Sequence, residues 1–122
     1  MTTLTETPHA GEFLVSEANG TLSREVVTIA SGSGVVPAGL VLGKITASGK
    51  YKPYDDDNAD GSETAVCLAY DTVDATSADK KAVVIFRNAE VRASAILWAA
   101  TNDATDKANG LADLVAKNII AR

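Results

Sequence analysis

At 122 residues, 46% hydrophobic and only 5% aromatic, the chain holds one domain whose modest core is built mainly from Val, Ile, Leu and Ala. A formal charge of -5 argues against a nucleic-acid backbone or an anionic membrane as partner, since both require clustered Lys and Arg, and so points to a protein. The single cysteine, Cys67, excludes an internal disulfide framework and a multi-cysteine zinc site.

Residues 1–23 read as an extended arm and residues 24–122 as a folded, β-rich body. The N-terminal residues lack a basic region followed by an apolar one, and no stretch reaches the ~18 apolar residues of a membrane span, so a soluble, unexported protein is expected. Met1 to Gly11 is rich in Thr, contains Pro8 and has no periodicity, which predicts disorder in the isolated chain. Phe13-Leu14-Val15 then forms a short apolar cluster before the turn-prone Asn19-Gly20. Two readings stand: a terminal strand tucked onto its own domain, or a strand that adds to a sheet of another protein.

The body opens with the β-branched run Arg24 to Ile29, closed by Ser31-Gly32-Ser33-Gly34 as a turn. Leu40 to Ile45 is a second strand, entered through Pro37-Ala38-Gly39, and Lys50 to Tyr54 a short third with Pro53 at its edge or end. From Thr64 to Tyr70, bulky Thr64, Val66, Leu68 and Tyr70 alternate with small Ala65, Cys67 and Ala69. Cys67 is therefore expected as a buried small residue and not as a nucleophile. Val83-Val84-Ile85-Phe86 reads as a strand buried on both faces, and Asn88-Ala89-Glu90 as a turn into a short partner strand. Ser94 is placed to cap a brief helical turn that delivers Leu97 and Trp98. Asp103 to Ala116 carries Leu111, Leu114 and Val115 at helical spacing, although Gly110 counts against an unbroken helix, and Asn118 to Arg122 closes the chain as a strand. The fold class is α+β, mainly β, without internal repeat or linker.

Chemistry is sparse. The one histidine, His9, lies in the arm, where a Ser-His-Asp or Cys-His constellation would lack a fixed base. Ser31-Gly32-Ser33-Gly34 has neither the lysine of a P-loop nor the spacing of a dinucleotide turn. Asp56, Asn58, Asp60 and Gly61 match the opening of an EF-hand loop, but its twelfth position falls on Cys67 instead of a bidentate glutamate. The solvated tip of a β-hairpin is the better account of Asp55 to Gly61, with no metal, no cofactor and no enzymatic activity expected.

An ordered series of segments resembles the lambda-type bacteriophage head decoration proteins. It begins with Phe13-Leu14-Val15-Ser16-Glu17-Ala18-Asn19-Gly20 and Ser23-Arg24-Glu25. Pro37-Ala38-Gly39, Leu42-Gly43-Lys44, Lys50 to Tyr54, Asp60 to Ala65 and Ala82 to Ile85 continue it, and Leu97-Trp98 and Ile119 to Arg122 end it. Where such proteins often carry proline after the tryptophan and glycine before the final strand, this chain has Ala99 and Asn118.

The resemblance implies a small β-rich domain of the β-tulip kind, with a C-terminal helix and an extended N-terminal arm. It implies a virion structural protein made in the host cytoplasm. As a homotrimer on the outer surface of the expanded head, it would cement the major capsid protein against internal DNA pressure. Neither nucleic acid nor membrane is a partner in that picture. Glu12, Phe13, Leu14, Val15 and Ser16 would be the capsid-binding strand, with Leu22, Arg24 and Glu25 as secondary contacts. An arm that extends a sheet gains main-chain hydrogen bonds, and three arms on one trimer add avidity.

Two other classes share parts of the pattern. One is a phage tail or fibre module. The other is a calcium-assisted carbohydrate binder using Asp56, Asn58 and Asp60 beside an aromatic platform drawn from Tyr51, Tyr54, Tyr70 or Trp98. The missing twelfth-position glutamate separates the last of these by experiment. Titration calorimetry at millimolar calcium should give little heat, and Asp56→Asn with Asp60→Asn should leave attachment to its particle intact; calcium-dependent attachment would refute this.

Overall fold

The computed structural model describes residues 8–122, and the disorder expected for residues 1–7 lies outside that range. The chain runs through β1 (Leu14–Glu17), β2 (Arg24–Ile29), β3 (Gly34–Val36), β4 (Val41–Lys44), β5 (Tyr51–Pro53) and β6 (Ala65–Ala69). It continues through β7 (Val73–Ala75), β8 (Lys80–Ile85), β9 (Ala89–Val91), α1 (Ala104–Val115) and β10 (Ile119–Ala121). Mainly β, with one C-terminal helix, it has the predicted class.

Five strands close into a barrel in the order β2-β5-β4-β6-β8. Because successive side chains on a strand point to opposite faces, each barrel strand supplies two sets of residues. Ile29, Leu42, Tyr51, Cys67, Ala82 and Val84 pack inside, joined by Val36 and Ala75 from the β3-β7 ribbon. The other set, Val41, Leu68 and Ile85, points out of the barrel into a second core. A three-stranded sheet, β1-β9-β10, and the helix cover it with Phe13, Val91, Leu114 and Ile119. The small face expected at Ala65, Cys67 and Ala69 is fully buried within the chain.

Several local expectations give way to this arrangement. Strict alternation on β6 breaks where Leu42 faces Cys67 but Gly43 faces Ala65, so Val66 is an extra residue and Ala65 turns to the outer core while Cys67 stays inside. Val83 is 37% exposed, so β8 is buried on both faces only at its Val84-Ile85 end. β9 pairs with β1 and β10, not with β8. Asp55 to Gly61 is not a hairpin tip, because β4 lies between β5 and β6 and the segment crosses over it. Ser94 lies inside its turn, which is anchored by Ala95 and Ile96 N–H groups on the Arg92 carbonyl. The β3-β7 ribbon had no counterpart in the sequence reading.

The helix starts on a capping box. Asp103 accepts from Asp106 N at 2.9 Å while Asp106 accepts from Asp103 N at 3.1 Å. Asp106, Gly110 and Leu114 form the buried face and Val115 is exposed, so the apolar spacing ending at Val115 overstated that side. Gly110 does not interrupt the helix. A Cβ there would stand 2.6 Å from the Trp98 ring and 3.0 Å from Tyr54. Those two rings meet edge to face with centroids 6.0 Å apart, so the missing side chain is what lets the helix close on them. Asn118 stands where a glycine was expected and takes φ 59, a left-handed turn asparagine tolerates better than most residues.

Replacing glycine by alanine in a helix ordinarily gains roughly 1 kcal/mol. Here Gly110→Ala should instead destabilise by about 1–2 kcal/mol, because overpacking outweighs the propensity gain. Urea unfolding checks it, and a raised midpoint would show that the rings yield freely.

Candidate functional site

The segment singled out as an arm turns on itself at residues 9–12 and is stitched to the body from Gly11 onward. Glu12 N donates to His9 O at 3.2 Å, the Glu12 carboxylate accepts from His9 N at 2.6 Å, and Gly11 N donates to the Tyr70 carbonyl at 2.9 Å. Phe13 follows with 1% of its surface exposed, and its carbonyl accepts from Arg92 N at 2.7 Å. The cluster that resembled a strand awaiting an edge therefore has one at home: β1 pairs antiparallel with β9, with an irregularity between Leu14 and Ser16. Burial explains it, since a phenyl ring left in water would forfeit roughly 1.5–3 kcal/mol.

Two polar clasps hold the strand. At one, Arg24 donates to both Glu17 oxygens at 2.6 and 3.0 Å and stacks over the Tyr70 ring at 4.1 Å. The Glu17 hydrogen bonds raise the arginine's affinity for its proton further. At the other, fully buried Ser23 accepts from Ala18 N at 2.9 Å and donates to Asn88 O at 2.8 Å. Arg87 reaches the Leu22 carbonyl and the Glu25 carboxylate, each at 2.7 Å. Along the sheet, Glu90 accepts from Arg122 at 3.0 Å and from Ser16 at 3.2 Å, which holds its carboxyl below the usual range.

The expected contact residues thus divide. Val15 and Leu22 are 52% and 55% exposed and Glu25 is also exposed, whereas Phe13 is core and Arg24 is committed to Glu17 and Tyr70. Leu14 is half-buried, Glu12 is exposed, and Ser16 is exposed beside Glu90. Ser23, part of the resembling segment but not among the expected contacts, is as integral to the segment as Arg24.

The acidic loop gathers a different set from the one its sequence suggested. Asp60 accepts from Ser62 N and Oγ and pairs with Lys52 at 3.4 Å, which takes its carboxyl down to about 2. Asn58 donates to Ser62 Oγ, and Asp56 accepts from Tyr54 OH at 3.3 Å. Instead, carboxylate oxygens of Asp55, Asp57 and Asp106 come within 4.8 Å of one another. That trio, and not Asp56, Asn58 and Asp60, is where a cation could be held. Of the aromatics in the carbohydrate reading, Tyr51 and Tyr54 are buried, Tyr70 lies beneath Arg24, and half-buried Trp98 has its ring packed edge to face on Tyr54. Cys67 is wholly buried, which pushes its thiol far above the range of a thiolate nucleophile.

A family model described as bacteriophage lambda head decoration protein D matches residues 3–119. No curated protein matches the chain.

The crowded carboxylates carry a pH signature. Asp103 N–H pulls the Asp106 carboxyl down, but burial and the charges of Asp103, Asp57 and Asp56 leave it raised overall. A carboxyl raised in the folded state favours folding while protonated and loses that contribution as pH rises through its folded value. Asp57 makes no side-chain hydrogen bond among the described residues, so Asp57→Asn should raise the thermal midpoint at neutral pH, with the gain fading as pH falls through the raised Asp106 value toward the ordinary 3.8 of an aspartate. Asp60 has the opposite sign: the stability it supplies is present above 3.8 and lost as pH falls to about 2. Thermal melts across that range test both, and a lower midpoint for Asp57→Asn at neutral pH would contradict the repulsion.

Proposed function

The chain belongs to the bacteriophage lambda head decoration family, a structural role on the phage capsid, and on that premise we propose that it binds as a homotrimer on the outer surface of the expanded head. There it cements neighbouring major capsid subunits against the pressure of packaged DNA. Residues 1–23 form the capsid-facing part and residues 24–122 the trimerising body. Contact is made through Glu12 to Ser16, with Leu22, Arg24 and Glu25 beside them.

The observation that carries this reading is the division of labour within the segment. Phe13 is buried and the flanking Val15 and Leu22 side chains face water at 52% and 55% exposure. A rigidly docked strand with apolar side chains turned outward is pre-organised, so a capsid strand that adds to it loses little conformational freedom on binding. β1 is an edge of its sheet, with β9 on one side only, and main-chain groups on its outer edge can extend the ladder. β10 lies at the opposite edge of the same sheet, so both terminal strands share this face. Phe13 and the Arg24 to Glu17 clasp serve as anchors that transmit load to the barrel.

The test uses surface changes that spare the anchors. Val15→Ser combined with Leu22→Ser should leave circular dichroism unchanged while weakening binding to expanded heads at least tenfold, about 1.4 kcal/mol. Sedimentation of heads with labelled protein reads it. A folded double variant that decorates heads with undiminished affinity would remove this segment from the interface.

A further inference from the structure

The barrel's outer wall is covered on one side only. Val41, Leu68 and Ile85 stand in register across β4, β6 and β8, and that row is sealed by the second core. The next row is Tyr70, Val83 and Val26: Tyr70 N donates to Val83 O at 3.0 Å, and Val83 faces Val26. Cover thins along it. Tyr70 lies under Arg24, Val83 is 37% exposed and Val26 is 65% exposed. A shallow groove runs beside the two valines, rimmed by Thr21, Arg24 and Glu25. Lys81 projects on the same side of β8, exposed, and makes no ion pair among the described residues. Paired valines beside an uncommitted cation make a surface that asks for an apolar residue next to an anion.

The chain itself presents such a surface elsewhere. In the β3-β7 ribbon, Val36 and Val73 face each other and pack on the inner core, so the facing pair Val35 and Asp74 points away from it. Val35 is 60% exposed and Asp74 is exposed beside it, held as an anion by hydrogen bonds from Thr76 N and Oγ. Within one chain both surfaces remain open to water, so neither covers the other. On a chain of charge -5, copies repel unless a cation of one meets an anion of the next.

We propose that the Val35 and Asp74 ribbon of one copy seats on the Val26 and Val83 wall of the next, with Asp74 facing Lys81. Different patches meet in this contact, so it is heterologous, and a three-fold rotation between copies would close it into a ring. It rests on the homotrimer reading and assigns the surfaces that build it.

Charge exchange tests the contact. Lys81→Asp and Asp74→Lys should each weaken trimers at least about tenfold in sedimentation equilibrium, and the double exchange should restore them. Because Asp74 also organises its turn, Val26→Cys with Val35→Cys gives an independent readout: oxidation should link subunits into covalent trimers, in solution or on heads. Trimers that ignore both charge changes and form no cross-link would overturn this contact and leave the trimer itself standing. Single, unassociated copies on heads would sink the trimer reading and the contact with it. Charge variants that stay trimeric but fall off heads would assign the wall to the capsid instead and refute the proposal.

Discussion

The structure depends on one constraint: a barrel strand that is apolar on both faces needs a core on each side. Five short strands enclose Ile29, Leu42, Cys67 and Val84, but that leaves Val41, Leu68 and Ile85 pointing outward. Leaving those three in water would cost roughly 1.5–3 kcal/mol per side chain. The chain's two ends supply the cover. Phe13 comes from the beginning, Leu114 and Ile119 from the end, and β9 joins them by pairing with β1 on one side and β10 on the other.

From this follows the character of the N-terminal segment. It is both part of the core and part of the surface: Phe13, in the turn just before β1, is buried, while the pairing irregularity between Leu14 and Ser16 leaves Val15 outside. Built this way, the segment is tied to the body through the Glu17 to Arg24 pair and the buried Ser23. Alternation does govern the barrel wall. Where the second sheet stops, the outward row turns from sealed Ile85 to exposed Val83 and Val26.

The helix junction shows how close packing decides composition. Tyr54 is fully buried, yet its hydroxyl has to be satisfied, and it donates to the Asp106 carbonyl at 2.8 Å. Asn102 donates to the Tyr54 carbonyl at 2.8 Å, tying the loop before the helix to the same residue. Burial and the adjacent Asp56 charge push the Tyr54 hydroxyl far above its ordinary range, so it stays a donor at any physiological pH. Around this hub the chain concentrates Asp55, Asp56, Asp57, Asp103 and Asp106, and the resulting repulsion opposes the capping box that starts the helix.

Much was legible from residues alone because it is local. The β-branched run of β2, the strands around Leu42 and Tyr51, the buried Cys67, the helix after Asp103 and the closing strand at Ile119 all arise from propensity and period. So did the ordered segments that resemble the decoration proteins. Three-residue strands such as β3 and β7 were not legible, since Gly34-Val35-Val36 carries too few residues to show a period. Nor was the pairing of β9, the crossing of the acidic loop over β4, or the carboxylate trio of Asp55, Asp57 and Asp106. The fate of Phe13 belongs with these. By itself the sequence determined most of the longer strands, the helix and which family they spell. Tertiary structure alone decided which side of each strand is wall, core or open surface, because covering an outward row depends on partners more than seventy residues away, as Phe13 and Arg92 are.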